Sequence, residues 1–244
     1  MRKQYWFIIL AYVLMQLSAV VGLPLLYFLG VGRGQPKAEA QLTLTGVWSV
    51  IAFTLCLVIV LLILRTVPKT TLRNRPKASV AASIGWAVAG VFLALFAQSI
   101  AASIEMNLFG VNPESENTQR IMKIITALPL MVFVSSVFGP ILEEIIFRKI
   151  IFGAIYEKTN FFVAALFSSV LFSVVHLDFS HLLIYTAMGF TFAFLYVRTN
   201  RIIVPIFAHV AMNTLVVLLQ TFREPIEEYL KNVEKMQMII GGFL

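Results

Sequence analysis

Apolar residues along this chain are grouped in long runs, and polar residues are confined to the short segments between them. A run of about twenty apolar residues can cross a hydrocarbon layer of about 30 Å as an α-helix. The pattern therefore predicts an all-α fold, a polytopic bundle of about seven transmembrane helices. The predicted spans are residues 5–29, 44–64, 79–104, 121–156, 161–177, 181–197 and 202–221.

The last part of the chain has a different pattern. Residues 222–244 alternate glutamate and lysine around Ile226, Leu230 and Val233. This pattern predicts a short amphipathic helix at the membrane surface. In the third predicted span, Ala81, Gly85 and Ala89 recur every four residues. Small residues at this spacing let helices approach closely in lipid, so we expect this face to pack against a neighbour.

Composition and charge support a location in a membrane. Of the 244 residues, 59% are hydrophobic and 13% are charged, whereas charged residues make up about 25% of soluble domains. The net charge of +7 arises from lysines and arginines in the short connections. This distribution is typical of loops that face anionic lipid, so we expect the lipid bilayer as a partner and no nucleic acid.

The basic connections also predict an orientation. They are the N-terminus and residues 65–78, 157–160 and 198–201, which the positive-inside rule places in the cytoplasm. The C-terminal tail then lies on the other side of the membrane. The predicted boundaries place His176 near that same side.

A few ionisable side chains lie inside the predicted spans. A charge at bilayer depth costs about 2.5–3.5 kcal/mol, so each one is a functional hypothesis. Glu144 and Arg148 are four residues apart and can form an ion pair on one helix face, whereas Glu143 points elsewhere. Glu143 is therefore the candidate general base. In the alternative interpretation, this charge cluster only fixes helix packing.

Two further segments carry polar groups that could join Glu143. A hairpin about residues 159–160 would place His176 beside the glutamates, and Phe172 lies one turn earlier, where it is either a wall of the site or a core residue. His209 and Asn213 share a face of the last span. They could stabilise an oxyanion, or they could be polar contacts between helices.

Other residues limit the chemistry. Asp178 is the only aspartate, so a two-aspartate intramembrane protease is excluded, and neither G-x-S-x-G nor H-E-x-x-H occurs. Asp178 and His181 are interpreted as solvated residues of a turn. The remaining groups suit hydrolysis of an acyl bond by an activated water. Glu143, His176 and His209 could instead bind zinc, and the spacing leaves both readings open.

Three segments, "EEIIFR" at 143–148, "FSVVH" at 172–176 and "HVAMN" at 209–213, resemble the motifs of the CPBP family. This family contains the type II CAAX-prenyl endopeptidases and bacteriocin-processing or immunity proteins. The resemblance implies a glutamate-type intramembrane endopeptidase in a bacterial cell membrane. Glu143 would activate water with the help of His176, and His209 with Asn213 would form the oxyanion hole. Glu144 completes the candidate catalytic set, with Arg148 and Phe172 in support.

The sequence has no inverted internal repeat and no low-complexity tract, which predicts a single membrane-embedded domain, residues 1–244. Its catalytic core would be about 121–221, with accessory helices in 1–104 and an interfacial tail in 222–244. The expected substrate is a membrane-associated peptide or protein, and no cofactor is favoured, zinc being the alternative. Two other functions stay open at this stage, a non-catalytic immunity or regulatory protein that binds a peptide in the same cavity, and a proton-coupled transporter.

Overall fold

The structure is a computed structural model that describes residues 2–68, 71–112, 114–223, 225, 226, 229, 231 and 233. Throughout this part of the chain the regular structure is helical, which confirms the all-α prediction. The main helices are α1 (Lys3–Leu17), α2 (Ala19–Phe28), α3 (Lys37–Arg65), α4 (Val80–Phe109), α5 (Glu116–Ala127), α6 (from Met131 to Tyr156), α7 (Phe161–Val175), α8 (Leu182–Thr199) and α9 (Ile203–Thr221). The predicted helix in the tail lies mostly outside the described residues.

Several helices are long and apolar enough to cross a membrane. In the described residues, α3, α4, α9 and α8 with the turn before it each meet this condition. Helices α1 and α2 meet at an angle of 47° and pass the same test together, and α7 is a shorter apolar helix. The chain is therefore a multi-pass membrane protein. The number of its membrane-crossing helices is roughly consistent with the predicted number of spans.

Two predicted spans are each divided into two helices. Between α1 and α2, the Ser18 hydroxyl donates to the Met15 carbonyl at 2.7 Å and accepts from the Trp48 indole at 2.9 Å. The predicted span 121–156 was also wrong as one helix, because α5 ends at Ala127 and α6 begins at Met131. Pro129 explains this break, since it lacks an N–H donor and disfavours a helical conformation in the residue before it.

The small residues that pack α4 against α8 and α9 are not the predicted ones. A Cβ atom on Gly90 would lie 2.6 Å from Leu195 and 3.1 Å from Ala208, whereas no described atom lies within 4 Å of such an atom on Gly85. The packing face is selected by the partner side chains, which the spacing within α4 does not reveal. The buried small residues of α4 in this region are Ser83, Ala87, Gly90 and Ala94, in place of Ala81, Gly85 and Ala89.

The basic connections meet at one end of the bundle, as the charge pattern predicted. The Asn200 side chain accepts from the Leu72 amide at 2.8 Å and donates to the Leu72 carbonyl at 3.2 Å. Arg73 donates to the Thr159 carbonyl, and Arg2 donates to a carbonyl of the 65–78 loop at 3.0 Å. The positive-inside rule predicts that this basic end faces the cytoplasm.

Candidate active site

Helix α6 carries both glutamates in an irregular stretch. It consists of the segments Met131–Phe133, Val134–Phe138, Gly139–Glu143, Glu144–Phe152 and Gly153–Tyr156, of which the second and fourth are π-helical. A π-helical turn widens the backbone spiral and is often found at functional sites. Pro140 contributes to the irregularity, because it cannot donate the usual backbone hydrogen bond.

Glu144 is fully buried and bound on two sides. Its Oε1 atom lies 3.0 Å from Nδ1 of His209, and its Oε2 atom lies 3.5 Å from Nε of Arg148. The predicted pair within the helix is thus present. The Arg148 guanidinium has no hydrogen bond to the described residues, and its Cζ lies 4.5 Å from the centre of the Phe172 ring. Its charge is therefore compensated by Glu144 and by an aromatic face.

Glu143 has a different environment. Its side chain is 17% exposed, compared with 0% for Glu144, and it lines a cavity. Its Oε2 atom lies 3.7 Å from Nε2 of His209. His209 therefore stands between the two carboxylates, with one ring nitrogen toward each. The sequence placed His209 with Asn213 and did not predict this bridge.

His176 follows directly after α7, and its ring orientation is defined by its contacts. Nδ1 lies 2.8 Å from the Phe172 carbonyl. Because a carbonyl oxygen can only accept, Nδ1 carries a proton, and in the neutral ring Nε2 has the free lone pair. The ring stacks on Tyr185, with centres 4.2 Å apart and planes at 28°. His176 lines the same cavity as Glu143.

Asn213 lies one turn after His209 on α9. Its Nδ2 donates to the Ser135 carbonyl in the first π-helical segment of α6, at 3.2 Å. An amide nitrogen has two hydrogens, so one remains for a ligand. Asn213 also lines the cavity.

The cavity has a volume of about 800 Å³, within the range of binding sites for small ligands. Glu143, His176, His209 and Asn213 line its polar part. Glu144, Arg148 and Phe172 are fully buried and are not among the lining residues. The predicted site residues are thus brought together in two layers, one that meets the cavity and one behind it. The lining also includes polar residues before and in α5 and one after α9, namely Glu114, Ser115, Asn117, Thr118, Gln119 and Arg223.

The donor geometry does not match the zinc alternative. In the described part of the chain, no three side chains of the metal-binding types are close enough together to hold a metal ion. Glu143, His176 and His209 share the cavity but do not form such a group.

The interpretation of Asp178 and His181 as solvated was wrong. His181 is 4% exposed and Asp178 is 8% exposed. Nδ1 of His181 lies 2.9 Å from Oε2 of Glu105, and Asp178 accepts from the Ser115 hydroxyl at 2.6 Å. The turn after α7 folds back against α4 and the start of α5, which a short polar turn in a sequence does not disclose.

Tyr185, which lines the cavity, and Glu105, which contacts the cavity residue His181, were not predicted from the sequence. Tyr185 lies within an apolar run and gave no separate signal. Glu105 is one residue beyond the predicted third span, so it was not among the ionisable residues of the predicted spans. It lies in the last turns of α4 and is 3% exposed.

Comparison with known proteins agrees with the three motifs. The pattern of the family described as "Type II CAAX prenyl endopeptidase Rce1-like" matches residues 125–215. The chain is also 64% identical over 243 residues to "Putative membrane peptidase YdiL" of Bacillus subtilis, which covers 99% of each protein. The chain belongs to the Rce1-like CAAX endopeptidase family. Its matched region begins at the end of α5 and includes every candidate catalytic residue.

More distant relatives of this Rce1-like protein cover less of the chain. "Membrane-embedded CAAX protease MroQ" of Staphylococcus aureus is 36% identical over 143 residues, 56% of this chain and 58% of the relative. "UPF0177 protein YxdF" of Lactococcus lactis is 36% identical over 106 residues, 41% of this chain and 58% of the relative. No solved structure matches the chain. The relatives and the fold identify a CAAX-protease-like membrane endopeptidase, a multi-pass protein of a bacterial cell membrane.

Proposed function

We propose that this protein is an intramembrane endopeptidase in which Glu143 activates the water that hydrolyses a peptide bond. The observation that carries the proposal is the position of His209. It lies 3.0 Å from one carboxylate and 3.7 Å from another, in a cavity shared with a second histidine and an amide. The substrate would be a membrane-associated peptide or protein, as for other members of a protease family.

The first step is attack by water. Glu143 is the carboxylate that reaches the cavity, so it would accept a proton from a water molecule whose oxygen attacks the carbonyl carbon. The lone pair on Nε2 of His176 would hold this water by a second hydrogen bond. Glu144 is unsuited to the role, since His209 and Arg148 already occupy its two oxygens.

The second step is stabilisation of the tetrahedral intermediate. When the His209 ring carries both protons, Nδ1 donates to Glu144 and the Nε2 hydrogen can bind the oxyanion. The second amide hydrogen of Asn213 would bind the same oxygen, while Ser135 holds the first. The intermediate then collapses as the carbon–nitrogen bond breaks. The proton on Glu143 passes to the leaving amine, which restores the carboxylate.

The substrate can be sought in the membranes of the cells that make the protein. We would compare new peptide N-termini in membranes that contain the wild type, Glu143→Ala or Glu39→Ala. Glu39 is an exposed glutamate near the start of α3, which makes it a matched control. We expect termini that are present with the wild type and Glu39→Ala and absent with Glu143→Ala.

The opposite outcome is equally clear. If the three proteins are present in equal amounts and produce the same termini, Glu143 is not the catalytic base. A phenotype that then survives both Glu143→Ala and His176→Ala would favour the non-catalytic immunity or regulatory function, in which the cavity only binds a peptide.

A further inference from the structure

The imidazole ring of His176 is held by contacts on several sides. Nδ1 is hydrogen-bonded to the Phe172 carbonyl at 2.8 Å, which limits rotation of the ring. The Phe172 ring contacts the imidazole edge-on, with ring centres 4.5 Å apart and planes at 62°. The Tyr185 ring stacks on one face of the imidazole, with ring centres 4.2 Å apart and planes at 28°. The direction of Nε2 therefore depends on Tyr185 as well as on helix α7.

Tyr185 is itself connected to α5, a helix that contributes to the cavity lining. Its hydroxyl accepts from Nδ2 of Asn117 at 3.3 Å, and Asn117 lies in the first turn of α5. Ser115 caps the same end of α5 by accepting from the Thr118 amide at 3.1 Å, and its hydroxyl donates to Asp178 at 2.6 Å. The start of α5 is thus fixed both to Tyr185 and to the turn that follows His176.

Helix α5 is a separate element over the cavity. It is separated from α6 by the break at Pro129, and it buries Ile124 and Ile125. Six of its residues line the cavity, namely Asn117, Thr118, Gln119, Ile121, Met122 and Lys123. A ligand that displaces α5 would therefore disturb Asn117 first and Tyr185 next.

We propose that Tyr185 is a positioning residue that orients His176 toward the water that attacks the peptide bond. Asn117 couples this orientation to the position of α5. The inference rests on the proposed function of His176. The stacked ring fixes the plane of the imidazole, so that Nε2 points into the cavity rather than along its wall. Small errors in the placement of a reacting group cost much of the rate.

The test uses purified full-length protein in liposomes and a peptide that spans a cleavage site found in the membrane comparison. Tyr185→Leu should lower kcat up to about 100-fold with little change in KM, because the substrate still binds while His176 is misplaced. Tyr185→Phe keeps the stack and should lose less than about tenfold, and Asn117→Ala should behave in the same way. Tyr27→Leu, at an exposed position on α2, should match the wild type.

A second readout does not depend on activity. Diethyl pyrocarbonate modifies accessible histidine rings, and mass spectrometry reports the rate for His176 with His181 and His209 as internal references. We expect faster modification of His176 in Tyr185→Leu and the wild-type rate in Tyr185→Phe. The pH profile of kcat/KM should also differ from the wild type in Tyr185→Leu and should match the wild type in Tyr185→Phe.

Wild-type values of kcat, pH profile and modification rate in Tyr185→Leu would overturn the inference. This failure is distinguishable from failure of the proposed function. In the latter case, Glu143→Ala would cleave the peptide as fast as the wild type, whatever the result at Tyr185.

Discussion

Among the described residues, two glutamate–histidine contacts have both side chains buried, and one of the two has the surroundings of a catalytic site. Glu144 and His209 are 3.0 Å apart, and Glu105 and His181 are 2.9 Å apart. All four side chains are at most 5% exposed. By distance and burial alone, the two pairs are alike.

Their neighbours differ. Oε1 of Glu105 accepts from the backbone amides of Leu183 and Ile184 at 2.8 and 3.2 Å, so this carboxylate caps the start of α8. In the other pair, the second nitrogen of His209 faces Glu143, which reaches the cavity. A buried carboxylate with complete hydrogen bonds stabilises a helix end, whereas a second carboxylate in contact with the cavity is available for chemistry.

The largest effect is expected when the buried charge at the site is left without its partner. Glu144→Gln removes the only carboxylate in contact with Arg148 in the described structure, and an uncompensated buried charge costs about 3–5 kcal/mol. We expect a large fall in thermal stability in detergent, together with loss of cleavage. An unfolding temperature equal to that of the wild type would show that Arg148 does not depend on Glu144.

The next effect should be on rate alone. Asn213→Ala removes one donor of the proposed oxyanion hole, and loss of such a donor lowers kcat by about 100- to 1000-fold. The control is Asn107→Ala, where an exposed asparagine of α4 donates to the Ser103 carbonyl. Steady-state cleavage by the two variants compares them directly. Similar rates for both would remove Asn213 from the proposed oxyanion hole.

The pair of Glu105 and His181 should affect stability and not chemistry, although His181 also lines the cavity. Glu105→Ala breaks the contacts to His181 and to the start of α8 and should cost about 1–3 kcal/mol. The folded fraction should still cleave the peptide at the wild-type rate, measured after normalisation to correctly folded protein. If cleavage per folded molecule fell as far as in Asn213→Ala, the distinction between the two pairs would be lost.

The smallest effect is expected from metal removal. The proposed mechanism uses protein groups alone, so 1,10-phenanthroline and EDTA should leave the cleavage rate unchanged. Loss of activity that is restored by added zinc would instead support a metal site that uses Glu143, His176 and His209.

The features predicted from the sequence are those set by local spacing. The pair of Glu144 and Arg148 depends only on two residues one turn apart on one helix. The spans depend on the length of apolar runs, and the break at Pro129 could have been read from the same sequence. The basic end followed from charges that lie close to the ends of the spans.

The features that were missed depend on contacts between distant parts of the chain. His209 and Glu144 are 65 residues apart, and no pattern within either helix specifies which nitrogen meets which oxygen. The burial of His181 depends on a turn that folds back against α4. The packing face of α4 depends on side chains from α8 and α9, so Gly90 and not Gly85 makes the close approach.

The central claim is that Glu143 is the general base, and the most direct test is the cleavage rate of Glu143→Gln in liposomes beside Glu105→Gln. The two variants make the same chemical change. Glu143 lies at the cavity, and Glu105 lies in α4 against the start of α8. We predict that Glu143→Gln lowers kcat by about 100- to 10,000-fold with an unchanged unfolding temperature, while Glu105→Gln keeps its kcat. Cleavage by Glu143→Gln at the wild-type rate would contradict the account.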